Sequence, residues 1–226
     1  MKLTYWSHSC FLLETGTHRL VMDPFLTGNP KAPLAANEVK CDFVLVPHGH
    51  NDHLGDAVAI ARRNHATIIA NYEIATFCGQ QGATVHAMHI GGSHQFPFGR
   101  VKLTIAHHGS AYQTDNGFLY MGNPAGILIT AEGKTVYHAG DTGLFLDMQL
   151  IGRLGLDLAM VPIGDNFTMG IEDAAAALDL LKPKVAVPMH YNTWPIIAVD
   201  PELFVEAAAR TDHTVHVLKP GESLNL

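Results

Sequence analysis

Between residues 48 and 53 the chain reads His-Gly-His-Asn-Asp-His, three imidazoles and a carboxylate in six positions, directly after the apolar run Val44-Leu45-Val46-Pro47. Titratable groups crowded in this way are costly unless something compensates them, and a divalent cation is the compensator best matched to neutral imidazoles and a carboxylate. His48 and His50 stand two residues apart. In a helix that spacing points side chains to different sides, whereas in an extended segment both project the same way and can reach one ion. Asp52 and His53 fall in the turn into a helix predicted to begin near Leu54, where the backbone reverses and can aim them at the same spot. Gly49 is expected to supply the conformational freedom of so tight a loop.

Three further strand-like runs end in candidate ligands: VKLTIAHHGS in His107 and His108, KTVYHAGDT in His138 and Asp141, and KVAVPMHYNT in His190. If these strand ends share one edge of the sheets, their side chains converge with the first cluster, since α/β sites form at the carboxyl ends of strands. That supplies donors for two divalent metal ions. Two metals ~3.5–4 Å apart, bridged by a carboxylate and a hydroxide, give a nucleophile at neutral pH and a Lewis acid for the attacked oxygen. An all-nitrogen-and-oxygen set suits zinc by default and admits manganese, iron or nickel. Adjacent strand residues point to opposite faces, so spacing alone does not choose between His107 and His108. His8 and His138 have two readings, as groups that orient ligands or contact substrate and as packed strand residues. Trp6 and Trp194 read as core or rim aromatics. Loops 24–40, 110–118 and 162–170 are expected to set substrate choice.

Positioning these groups falls to short strand-like runs separated by turn signals, among them KLTYW, DFVLVP, ATIIA, LDLAMVPIG and HTVHVLKPG. Helical patterns lie between them. LGDAVAIARRN puts Leu54, Ala57, Val58 and Ala61 on one stripe, IEDAAAALDLL opens acidic and stops before Lys182-Pro183, and Asp200 suits an N-cap ahead of Pro201. Residues 11–23 and 127–141 each read as strand, Gly-containing turn, strand, then a terminal Asp. This echo predicts two related halves, each a sheet with helices on its outer face.

The 226 residues fit one α/β domain over 1–226. With 47% hydrophobic and 15% charged residues the balance is that of a compact chain. A formal charge of −7 argues against nucleic acid as a partner, because such binding rests on Lys and Arg neutralising phosphates. No apolar run approaches the ~20 residues that span a bilayer, and the start lacks a signal-peptide core, so a cytoplasmic protein with no membrane partner is expected. Cys10, Cys41 and Cys78 are widely spaced and suggest neither disulfides nor a thiolate metal site. The compositional oddity is 15 histidines against 14 Lys and Arg together. Apolar residues in TWPIIAV suit a homo-oligomer contact or burial within the subunit.

HGHNDH resembles the H-x-H-x-D-H motif of the metallo-β-lactamase superfamily, and HHGS, HAGDT and MHYNT follow in the order in which that superfamily supplies its other ligands. The match runs almost from end to end. Within the superfamily the chain is most similar to small bacterial metal-dependent hydrolases of the kind that includes L-ascorbate 6-phosphate lactonase. The resemblance implies an αββα four-layer sandwich, a first metal held by His48, His50 and His108, and a second held by Asp52, His53 and His190, with Asp141 bridging. It selects His108 because the motif places its ligand immediately before the glycine. Asp141 stands where the commonest zinc β-lactamases have Cys, which argues against antibiotic hydrolysis. The expected activity is attack of a metal-bound hydroxide on a small-molecule ester, lactone or phosphodiester, with Asp52 orienting the nucleophile or accepting its proton. The alternatives are an RNA or nucleotide phosphodiesterase similar to transfer RNA 3'-processing nucleases, and a non-catalytic metal-binding module.

Overall fold

The computed structural model describes residues 1–226, and in it the hairpin of residues 11–23 shows how the layers arise. Its strands, β2 (Phe11–Glu14) and β3 (Arg19–Met22), are antiparallel and both faces are apolar. Phe11, Leu13, Leu20 and Met22 enter a core shared with the other sheet, while Leu12 and Val21 enter a second core. This is the two-residue period of a strand buried on both sides.

The first sheet carries β1 (Lys2–Tyr5), β2, β3, β4 (Phe43–Leu45), β5 (Thr67–Asn71) and β6 (Thr84–Met88) side by side in chain order. The second is built from β7 (Ser93–Phe96), β8 (Gly99–Ile105), β11 (Ala125–Ala131), β12 (Lys134–His138), β13 (Leu158–Pro162) and β14 (Val185–Met189), in the order β14-β13-β12-β11-β8-β7. A separate hairpin, β9 (Ala111–Thr114) and β10 (Gly117–Tyr120), lies between β8 and β11 in sequence, and β15 (Ser223–Asn225) returns to pair with β1.

Helices α1 (Asn51–Leu54), α2 (Ala57–Asn64) and α3 (Tyr72–Gln80) follow first-sheet strands, and α4 (Met148–Gly152), α5 (Ile171–Leu181) and α6 (Pro201–Ala209) follow second-sheet strands. Ala57, Ile60 and Ala61 of α2 and Ile74 and Cys78 of α3 cover the outer face of the first sheet, where Val44 and Ile68 lie. Ala174, Leu178 and Phe204 of α5 and α6 pack with second-sheet residues. The result is an αββα sandwich. No helix is long and apolar enough to cross a membrane.

The echo between residues 11–23 and 127–141 is visible in the topology, since each hairpin is followed by parallel strands, β3 to β4 and β12 to β13. Because β1 and β3 both run antiparallel to β2, they share a direction with β4; by the same logic β8, β12 and β14 share one direction. His108, Asp141 and His190 therefore follow the carboxyl ends of second-sheet strands that share one direction, and the 48–53 turn follows the carboxyl end of β4.

Several local expectations are corrected. The stripe from Leu54 to Ala61 is two helices, because Gly55 turns at φ +40°, and a Cβ there would stand 2.4 Å from the Pro24 carbonyl oxygen. Gly49 has no positive φ; it is required because a Cβ would lie 2.2 Å from the Met121 Cβ. HTVHVLKPG is not a strand but makes one bridge, Val215 to Ala186, on the open side of β14. Residues 111–120 are a hairpin rather than an open loop. The cap at Asp200 forms as expected, its carboxylate accepting from the Glu202 N–H at 3.1 Å.

Candidate metal centre

The turn after β4 brings His48 and His50 to the sheet edge, and His50 opens α1, whose single turn presents Asp52 and His53. The end of β8 delivers His108, the segment after β12 delivers Asp141, and the end of β14 delivers His190. Asp141 stands in the middle. Its Oδ2 lies 3.0 Å from His190 Nε2, 3.2 Å from His53 Nε2, 3.6 Å from His108 Nε2 and 3.9 Å from His48 Nε2. His48 Nε2 is 3.1 Å from His50 Nδ1, and Asp52 Oδ2 is 3.5 Å from His53 Nε2 and 4.0 Å from His190 Nε2.

The donor atoms fall into overlapping sets, His48-His50-His108, His48-His53-Asp141 and His8-Asp52-His53-His190, and within each set all lie within 4.8 Å of one another. Buried His53 Nε2 and Asp141 Oδ1 have no hydrogen-bond partner. Buried polar atoms left unpaired in this way are costly, and a divalent cation is what satisfies converging imidazole nitrogens and carboxylate oxygens. The donor set fits a metal centre.

His107 is turned away. Its ring stacks on Phe145 at 4.8 Å and its backbone N–H donates to Thr142 Oγ1 at 3.0 Å, so it is His108 whose ring joins the cluster.

A family model described as a β-lactamase superfamily domain matches residues 2–190. The chain belongs to that superfamily. A UPF0173 metal-dependent hydrolase of Geobacillus sp. is 56% identical over 228 residues, covering 100% of both chains, and one of Pelotomaculum thermopropionicum is 56% identical over 229 residues with the same coverage. Among solved structures, Igni18, a metallo hydrolase from the hyperthermophilic archaeon Ignicoccus hospitalis, superposes with a TM-score of 0.89 at 40% identity, covering 99% of this chain and 97% of its own. The protein is a metal-dependent hydrolase of this superfamily.

Behind the cluster of this hydrolase lies a buried layer that holds it. His8 Nε2–H donates to Asp52 Oδ2 at 3.2 Å, and its Nδ1 accepts from the Thr193 hydroxyl at 2.9 Å. Burial, followed by the neighbouring His190, lowers the His8 pKa to about 4, so the ring is neutral at physiological pH and this tautomer is set by its two partners. His8 does not line the cavity; it positions Asp52. His138 lies deeper still, its Nδ1 accepting from the Gly140 N–H at 3.1 Å and its Nε2–H donating to the Ser9 carbonyl at 2.9 Å. With both nitrogens committed inside the fold, a substrate contact by His138 is ruled out.

Asp23 was not among the site residues read from the sequence. His53 Nδ1–H donates to its Oδ2 at 2.8 Å with both side chains fully buried. That bond fixes the tautomer that leaves His53 Nε2 facing the centre. A signal existed, because the echo of the two hairpins places Asp23 where the second half has Asp141.

Charge is shared unevenly in the cluster. Burial pushes the His48, His50 and His108 pKa values down, with His53 adding to the effect, and holds them neutral as ligation needs. For Asp141 burial acts in the opposite direction, but His190 and His53 outweigh it and keep the carboxyl ionised. Burial also disfavours charge on His53, yet Asp141, Asp23 and Asp52 surround it and raise its pKa. Metal binding at His53 Nε2 therefore competes with the proton that these carboxylates favour on the ring. Metal uptake at neutral pH should release that proton, and apparent affinity should weaken by about tenfold per pH unit for one proton as pH falls. Titration calorimetry in two buffers of different ionisation heat measures it; an identical heat in both buffers would contradict the proton count.

A cavity of about 710 Å³ opens onto the cluster, reached by His50, Asp52, His108, Asp141 and His190. Of the three loops expected to set substrate choice, residues 24–40 supply Phe25 and Thr27 and residues 162–170 supply Phe167, but residues 110–118 supply none. That hairpin instead braces α1, with the Asn51 amide donating to the Gln113 carbonyl at 3.1 Å and accepting from its N–H at 2.9 Å. Trp194 and Ile196 complete the wall.

Proposed function

We propose that the chain holds two divalent ions and hydrolyses a small-molecule ester or lactone. The supporting observation is the place of Asp141, whose Oδ2 comes within 3.9 Å of imidazoles from both donor groups, His48 and His108 on one side and His53 and His190 on the other. His48, His50 and His108 would hold the first ion, Asp52, His53 and His190 the second, and Asp141 would lie between them. Zinc suits these nitrogen and oxygen donors, and manganese, iron or nickel suit them too. When bound, such ions supply a water ionised at neutral pH and a Lewis acid.

The protein's own contribution lies in holding the reacting groups still. Asp52, with its side chain 28% exposed, is the carboxylate that meets both the cavity and the buried layer. Although burial disfavours its charge, His53 and His8 keep it ionised well below the usual carboxylate range. It is placed to orient the attacking water by accepting a hydrogen bond from it. Water adds across the acyl C–O bond: its oxygen joins the acyl carbon, the bond to the leaving oxygen breaks, and the proton ends on that oxygen. An RNA phosphodiesterase would need a cationic surface for the flanking phosphates, and neither the cavity wall nor the net charge of −7 supplies one.

The test pairs metal content with turnover. Zinc- and manganese-loaded protein should carry two ions per chain and cleave a lactone in preference to a phosphodiester and a thioester at equal concentration. One ion per chain at saturation, or preference for the phosphodiester, would reject this reading.

A further inference from the structure

Away from the candidate ligands the cavity wall is apolar. Phe25, Phe167, Trp194 and Ile196 form it, and no Lys or Arg contributes. Thr27 and Asn51 are the remaining polar groups, and both amide atoms of Asn51 are already engaged by Gln113. Lys31 lines a separate hollow that shares only Trp194 with this cavity.

Two of the apolar groups are held firmly. The Phe25 and Trp194 rings stand 5.8 Å apart and pack on His8 at 5.6 and 5.0 Å, so the residue that positions Asp52 also backs this wall. The other two stand at the mouth, Phe167 at 52% and Ile196 at 60% exposure. The Phe167 loop is tied down: Asp165 N–H donates to the Met169 carbonyl at 3.1 Å and Met169 N–H to the Thr142 carbonyl at 3.0 Å, beside Asp141. Large apolar side chains kept in water at a cavity mouth gain by covering an apolar ligand.

The charge distribution excludes as much as it admits. Ions at the candidate centre would be committed to the water and the attacked oxygen. A phosphate or carboxylate elsewhere on a substrate needs its own Lys or Arg, and an anion placed against this wall would be desolvated without a partner. We propose, building on the hydrolase reading above, that the substrate is an uncharged ester or lactone whose non-reacting part is an aryl or branched alkyl group seated among Phe25, Phe167, Trp194 and Ile196. The same wall disfavours substrates that carry a phosphate on that part.

The experiment compares two 4-nitrophenyl esters sharing carbonyl and leaving group, the 3-phenylpropanoate and the hemisuccinate, on zinc-loaded protein. Binding of the unreactive 3-phenylpropanamide and succinamate is followed in parallel by calorimetry. The phenyl compounds should be preferred by about 10- to 100-fold in both kcat/KM and Kd, the value of burying one such ring. Phe167→Ala should shrink this preference, and Ile196→Lys, at an exposed position the fold tolerates, should shift it toward the succinyl compounds. Equal, absent or reversed preference in amide binding to the unaltered protein overturns the inference. If the phenyl amide is preferred but neither ester is cleaved, the ester-hydrolase reading fails and the account of recognition stands.

Discussion

Asp141→Ala should yield a folded protein that neither retains metal nor turns over substrate, with kcat/KM down by more than about 100-fold, beyond what groups behind a metal's own ligands cost. No other side chain places one oxygen within 3.9 Å of His48, His53, His108 and His190 together. Without it the imidazoles of the two donor groups face one another with no anion between them. The fold should survive, since Asp141 lies beyond β12 and contributes no residue to the shared apolar core. Asp141→Asn separates shape from charge: it keeps the side-chain volume and one oxygen while removing the ionised carboxylate that His190 and His53 sustain. It should also lose metal. Elemental analysis after gel filtration, with circular dichroism as the control for folding, decides the matter. Full metal content with full activity in either variant would remove Asp141 from the centre.

The second large effect is expected at Asp23, which touches no substrate. Asp23→Ala deletes the acceptor of the His53 Nδ1–H and leaves that nitrogen buried and unpaired, so the ring is free to adopt the tautomer with its proton on Nε2. Metal affinity should fall by about 10- to 100-fold. Asp23→Asn keeps an acceptor and loses only the charge, and its loss should be intermediate. A purely structural role predicts something else: a lower melting temperature with unchanged metal affinity in the molecules that remain folded. Competition with a chromophoric chelator on folded protein distinguishes the two.

How much of this was legible in advance depends on the range of the interaction. The pattern HGHNDH announces its chemistry because ligand type and spacing are local, and a strand leading into a turn is a local event. Strand-end placement also let Asp141 and His190 be named, since runs such as KTVYH and KVAVPM are recognisable from their own composition. The hairpin at residues 111–120 was not, because Gly117-Phe-Leu-Tyr120 is exposed throughout and shows no buried alternation. The role expected of Gly49 failed for a related reason: its need is set by Met121, more than 70 positions away and invisible to any local rule.

The sequence by itself determined the donor chemistry, the order of ligands along the chain and the two-halved α/β architecture, all of which follow from residue type and short-range periodicity. Spacing left His107 and His108 open and the family resemblance selected His108; only the tertiary structure decided that His8 holds Asp52 while His138 is spent on backbone groups, that Asp23 orients His53, and that an uncharged apolar wall stands opposite. Those outcomes turn on which strand ends meet and how two sheets register against each other, quantities set by packing between residues far apart in sequence.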